Sequence, residues 1–215
     1  MIALAKYRKI YFDTNILDFT RTAELWEDGE KDPNFHESKI KDITKNVIAL
    51  RYILDLDKEW NLIFGTSRQT EKELIRIFKT KPFKYFSLAT TYETLRKLSS
   101  KQFERDTRRN KLSKEQEKQL RYKLAQIIKN QGDVEHLVNF ANSGWDVFLT
   151  LDMKHILNKK RKVKDRLKNI GLDVCSPLDF LADFMQCNDG EEALNLIRTA
   201  LHGSWAKSYI INNPE

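Results

Sequence analysis

Asp13, Glu73, Asp133 and Asp152 lie far apart along a chain of 215 residues, yet each stands where an α/β sheet would carry it to one shared edge. Carboxylates drawn into one pocket repel each other, so the cluster costs free energy unless protons or a divalent cation neutralise it. Magnesium and manganese suit that task, because both are hard ions that take oxygen ligands and keep water beside substrate phosphate. One ion, or two acting together, would activate water and stabilise the leaving oxygen of an in-line displacement. That is the chemistry of phosphodiester cleavage.

The elements that must position these acids can be read from the pattern around them. Asp13 closes the run Lys9-Ile10-Tyr11-Phe12 and begins Asp13-Thr14-Asn15; Asp152 follows Asp146-Val147-Phe148-Leu149-Thr150-Leu151 in the same way. Both acids therefore end a short apolar strand on its carboxyl side, where open parallel sheets bind their ligands. Ile40, Ile43, Val47, Leu50 and Leu54 recur at helical spacing and predict an amphipathic helix over about 36–57. A strand at 61–64 stops at Gly65, and Thr66 with Gln69 matches a capping box that opens a helix over about 67–79 carrying Glu73. Ser113 with Gln116 opens another capped helix, which Asn130-Gln131-Gly132 ends; Asp133 is then expected as the N-cap of a helix closing at Ser143-Gly144. A strand at 172–175 and a helix from Ser176-Pro177 complete the order. Strand and helix alternate throughout, which implies right-handed crossovers and a three-layer α/β/α fold with a central, mostly parallel sheet plus helical insertions. One domain is expected over 1–186 with a helical insertion around 83–131, followed by a C-terminal helical appendage over 187–215.

Ile10-Tyr11-Phe12-Asp13-Thr14-Asn15 resembles the opening strand of PIN-domain nucleases. Asp133-Val134-Glu135-His136-Leu137, and then Gly144 through Asp152, are similar in order and spacing to that family's third and fourth acidic motifs. Leu172 to Leu181 resembles its closing strand and helix. Each motif is weak singly; the set gains force because it occurs jointly and in order from near residue 8 to near 181. The resemblance implies a PIN-like fold, an enlarged relative of the toxin-type members, and a divalent-metal-dependent endoribonuclease. Carried over by position, it implies that Asp13, Asp133 and Asp152 hold Mg2+ or Mn2+, one ion or two, with an acid of the second helix completing the set. Ser67 followed by Glu73-Leu74 matches the family's pattern and selects Glu73, while the stripe of Leu74, Ile75, Ile77 and Phe78 keeps Glu71 as the alternative. Asn15 would orient Asp13, with Thr150 and Thr14 in supporting roles. RNA as substrate, a cognate antitoxin that blocks the acidic cleft, and a homodimer are the partners the resemblance suggests.

Charge points toward a polyanion as well. The 38 Lys and Arg exceed the 31 Asp and Glu, leaving +7 and a pI near 9.2. Arg105, Arg108 and Arg109 fall in an exposed basic loop at 101–114, and Lys159, Lys160, Arg161 and Lys162 in a second basic run at 154–168. The second run begins two residues after Asp152, where a phosphate chain must pass, so both runs are expected to contact nucleic acid. Each residue also has a plainer use. Asp13-Thr14-Asn15 suits a strand ending in a turn, Asp133 a helix cap, Glu73 a solvated helix face and Asp152 a loop, while basic runs are commonly solvated surface. Coincidence of all four acids in one order favours the metal site.

Several classes are excluded or disfavoured. Cys175 and Cys187 form neither a disulfide framework nor a CxxC motif, in keeping with a reducing cytoplasm. No secretory leader is evident and no window approaches ~18 apolar residues, so no membrane partner is expected. His36, His136, His155 and His202 lack zinc spacing and read as structural or surface residues, although His136, three residues after Asp133, is placed to face the site. Neither a phosphate-binding P-loop nor a dinucleotide fingerprint occurs. A magnesium phosphatase of the haloacid dehalogenase type also puts an Asp after its first strand, but wants a second Asp where this chain has Asn15. A non-cleaving RNA-binding module of the same fold is the other alternative.

Overall fold

Short β-branched and aromatic runs form the centre of the molecule. The computed structural model describes residues 9–17, 19, 41–60, 62–81, 89, 92 and 112–200. β1 (Lys9–Phe12), β2 (Ile63–Gly65), β3 (Val147–Leu149) and β4 (Val174–Cys175) make one sheet in the order β2-β1-β3-β4, with every pairing parallel. Ile10 sits opposite both Phe64 and Val147, and Phe148 opposite Val174. All four carboxyl ends consequently share one edge, the geometry in which loops from different strands meet.

Alternation along the strands divides the core between two faces. Ile10 and Phe12 of β1, Val147 and Leu149 of β3 and Cys175 of β4 lie in a core with α1 (Lys41–Trp60), α6 (Pro177–Met185) and α7 (Gly190–Ala200). Tyr11, Phe148 and Val174 lie in a second core with α3 (Lys114–Ile127), α4 (Gln131–Ser143) and α5 (Val163–Asn169). Both faces of the sheet are thus covered, as an all-parallel sheet requires. α2 (Arg68–Thr80) adds the buried Leu74 to the first core. The segment expected as an appendage from 187 supplies α7, whose Ala193, Leu194 and Ile197 are buried in that same core; 201–215 lie outside the described residues. Of the expected insertion at 83–131, the described part contains α3, whose Ser113–Gln116 capping box forms as read. No helix among the described residues is long and apolar enough to cross a membrane.

Two caps differ from expectation, and the difference at α4 bears on the chemistry. Asn130, not Asp133, is the N-cap of α4; its side chain accepts from Gly132 N at 2.9 Å. Asp133 falls one turn inside, so its carboxylate is not spent on the helix end. At α2 the cap is Ser67 rather than Thr66, and its hydroxyl accepts from Gln69 N at 3.2 Å. Gly144 closes α4 in the left-handed region at φ 72°, a conformation glycine adopts without strain, and the chain turns directly into β3.

Candidate metal centre

Asp13 is the first residue beyond β1 and Thr150 the first beyond β3, and the sheet fixes both backbones. Asp13 N donates to Leu149 O at 3.1 Å, and Thr150 N donates to Cys175 O at 3.1 Å. The Asp13 side chain, 8% exposed, is held by three donors: Thr14 N to Oδ1 at 2.7 Å, and Asn15 Nδ2 at 2.7 Å and Thr150 Oγ1 at 2.6 Å to Oδ2. Asn15 Oδ1 in turn accepts from Leu151 N at 2.9 Å, tying the loop after β1 to the loop after β3. Burial pushes the Asp13 carboxyl up, while the His136 charge and the Thr150 hydrogen bond pull it back. Asn15, Thr150 and the Thr14 backbone therefore each hydrogen-bond the Asp13 carboxylate.

Glu73 reaches the same shell from α2. Its Oε2 accepts from Thr14 Oγ1 at 2.6 Å, and its Oε1 from Gln69 Nε2 at 3.2 Å. His136 Nε2 stands 3.1 Å from Oε1 and 3.9 Å from Asp13 Oδ1. Because the Thr14 hydroxyl proton is given to Glu73 and a carboxylate only accepts, this nitrogen is a donor to Glu73. On the ring's far side, Nδ1 meets Tyr11 Oη at 2.8 Å, and Tyr11 Oη meets Ser67 Oγ at 2.6 Å. A buried chain from the α2 cap through β1 and α4 thus returns to α2 at Glu73. Burial alone would raise Glu73, but the His136 hydrogen bond and charge, with Thr14 and Gln69, outweigh it and hold this carboxyl at about 2. Burial would likewise lower His136, yet Glu73 and Asp13 drive it upward. Glu71 takes no part: its Oε1 accepts from Tyr92 Oη at 2.6 Å.

Asp133 and Asp152 are grouped with His155. Asp152 Oδ1 accepts from Lys154 N at 3.0 Å and His155 N at 2.9 Å, and Oδ2 lies 2.9 Å from His155 Nδ1. Asp133 Oδ2 is buried and carries no hydrogen bond; His155 Nδ1 lies 3.8 Å from it. Burial, then the charges of Asp152 and Asp13, push the Asp133 carboxyl up to about 7. One ligand atom from each of Asp133, Asp152 and His155 falls within 4.8 Å of the others. An orphaned carboxylate oxygen beside a second acid and an imidazole is a donor set that fits a divalent cation. His155, which the sequence reading makes a structural or surface residue, lies inside this cluster. One signal for it exists in the sequence: Asp133 and Asp152 are each followed by a histidine three residues later. The other ring, His136, faces the site as its position suggests.

Among the basic residues, Arg105, Arg108 and Arg109 lie outside the described residues, as does the side chain of Lys159. Lys160, Arg161 and Lys162 are exposed. Arg161 Nη2 donates to Ile127 O at 3.5 Å, and Arg166 Nη2 to Gln126 O at 3.2 Å, so these two also satisfy carbonyls at the end of α3. A cavity of about 500 Å³ opens beside Met153 and is lined by Lys45, Lys162 and Lys164 together with Asp165, Asp179 and Glu191. No protein-family model, curated protein or solved structure matches this chain.

Proposed function

We propose that this protein is a PIN-like, divalent-metal-dependent endoribonuclease that hydrolyses RNA phosphodiester bonds. The observation that carries the reading is Asp133 Oδ2, a buried carboxylate oxygen without a hydrogen bond, beside Asp152 and near Asp13. A fold does not leave such an atom unpartnered without cost, and a cation removes both the repulsion and the missing contact. Asp133 and Asp152 are the oxygen donors in this reading, and Asp13, whose Oδ1 has one hydrogen bond and a spare lone pair, completes the negative face. Glu73 is fixed beside Asp13 by Thr14, Gln69 and His136. When bound, Mg2+ or Mn2+ supplies Lewis acidity and charge neutralisation toward the phosphodiester. The chain's own residues do the positioning: Asn15 and Thr150 fix the Asp13 carboxylate, and Lys160 and Lys162 on the neighbouring surface attract the RNA backbone.

The parallel sheet order, the acids at the ends of β1 and β3, and the basic surface next to Asp152 all support this reading. A toxin role with a cognate antitoxin follows from the resemblance, and a homodimeric state and a cytoplasmic location, the latter read from the cysteine usage, belong to the same proposal. Purified protein should cleave RNA in Mn2+ or Mg2+, and EDTA or Asp13→Asn should abolish cleavage. Cleavage at the wild-type rate by Asp13→Asn would overturn the reading; hydrolysis of a simple phosphate monoester with RNA left intact would replace it with a phosphatase.

A further inference from the structure

We propose that His155 is a nitrogen ligand of the cation, so that Asp133, Asp152 and His155 form a mixed nitrogen and oxygen site that selects Mn2+ over Mg2+. The inference rests on the reading of the Asp133 and Asp152 pair as a cation seat. It adds a ligand that the resemblance does not supply and a preference that follows from it.

Local geometry brings the imidazole there. Asp152 Oδ1 accepts the backbone N–H groups of Lys154 and His155, which folds 152–155 into a tight turn and returns the ring onto the carboxylate that began it. Nδ1 then faces Asp152 Oδ2 at 2.9 Å and Asp133 Oδ2 at 3.8 Å. The second distance is too long for a hydrogen bond, so His155 leaves the buried Asp133 oxygen unsatisfied while pointing at it. Bond lengths of about 2.0–2.2 Å around one six-coordinate ion put neighbouring ligands about 3 Å apart and opposite ligands about 4.3 Å apart. The separations of 2.9 and 3.8 Å lie within that range, and the cation would take the place of the proton that Nδ1 shares with Asp152 Oδ2, which is released to solvent on binding or moves to Nε2. At Asp13 and Glu73 all four carboxylate oxygens already accept from a protein donor, whereas the Asp133, Asp152 and His155 group contains a buried carboxylate oxygen, Asp133 Oδ2, that accepts from none. His136 is directed at Glu73 and Tyr11, which leaves His155 as the ring that meets the orphaned oxygen.

Selectivity follows from ligand chemistry. Mg2+ strongly prefers oxygen donors, whereas imidazole suits the transition metals, for which Mn2+ is the hard representative. His155 is 37% exposed, so replacing it leaves the buried cores untouched.

The test is Mn2+ alone, added to the full-length protein after chelation, read by pulsed electron paramagnetic resonance for the nitrogen coupling of a coordinated imidazole. Calorimetric affinities for Mn2+ and Mg2+ accompany it. Wild type should show the imidazole coupling and bind Mn2+ at least about ten-fold more tightly than Mg2+. In His155→Gln the coupling should vanish and Mn2+ affinity should fall at least about ten-fold, while Mg2+ affinity changes little. Coupling that persists in His155→Gln would assign the nitrogen to another histidine and overturn the proposal, as would equal losses for both metals or no Mn2+ binding. Circular dichroism of the variant, together with Asp133→Asn as a binding-defective control, separates lost ligation from lost fold. Imidazole coupling in a protein that leaves RNA intact would sink the ribonuclease reading and keep this site; RNA cleavage without the coupling would do the reverse.

Discussion

Replacing Asp133 by Asn should stabilise the metal-free protein while destroying its ability to bind the cation. The carboxyl rises from 3.8 to about 7 because it is buried and faces Asp152 and Asp13, so the folded state holds a proton that the unfolded chain has released. The sign follows: the native protein binds more protons between those two values, and stability falls as pH climbs from about 4 to about 7, then levels off. At about 1.4 kcal/mol per decade the whole interval amounts to about 4 kcal/mol; water reaching a side chain that is 14% exposed reduces a realistic figure to about 3 kcal/mol. The amide of the variant keeps the shape without the charge, so above pH 7 the substituted protein should gain roughly that much. For a chain of this size the gain corresponds to about 6–12 °C in Tm. Thermal unfolding in EDTA at pH 5 and pH 8 is the assay, repeated with millimolar Mn2+. Wild type should be less stable at pH 8 than at pH 5 and recover with Mn2+; Asp133→Asn should lose this component of the pH dependence and gain nothing from the metal. An Asp133→Asn protein no more stable than wild type at pH 8 would refute the claim that this carboxylate is buried against its neighbours.

Glu73→Gln should act in the opposite direction, because Glu73 is held at about 2 against an ordinary 4.5. Allowing for water at a side chain that is 24% exposed, that depressed carboxyl contributes about 2 kcal/mol, fully present above about pH 4.5 and lost as pH falls toward 2, so the variant should be less stable at pH 7 and nearly equal to wild type near pH 2 by urea unfolding. Tyr11→Phe removes the hydroxyl between Ser67 and His136 and should cost about 1–3 kcal/mol in the same measurement, since His136 Nδ1 stays buried without its partner. Thr150→Val breaks the 2.6 Å bond to Asp13 Oδ2; Mn2+ affinity by calorimetry should drop about 10–100-fold with the strands intact by circular dichroism. Lys160→Ala with Lys162→Ala should lower the dependence of RNA affinity on log salt by roughly 1–2, leaving Mn2+ affinity unchanged.

Legibility varies with how local the cause is. The apolar runs before Asp13 and Asp152 place both acids past a strand end, and the structure agrees, with β1 stopping at Phe12 and β3 at Leu149. Ser113 with Gln116, Gly144, and Ser176 followed by Pro177 mark their helix ends correctly, since caps depend on a few adjacent backbone groups. Asp133 reads wrongly as a cap for the same reason: Asp is a good cap, and only the competing Asn130 three residues earlier shows that the position is taken. The choice between Glu71 and Glu73 stays open in the sequence because positions two apart on a helix point about 200° apart, and which direction is inward depends on what α2 faces. Tyr92 claims one and Thr14 with His136 the other.

By itself the sequence determined the alternation of strands and helices, the acids at the ends of β1 and β3, and the surplus of positive charge, because each follows from residue type and spacing over a few turns or a single count. Tertiary structure alone decided that the sheet runs β2-β1-β3-β4, that Thr150 reaches Asp13 across 137 residues of chain, and that His136 locks Glu73 while His155 turns toward an unsatisfied Asp133. Those contacts depend on strand register and helix phase, which packing of the two apolar cores fixes at a distance and no local spacing encodes.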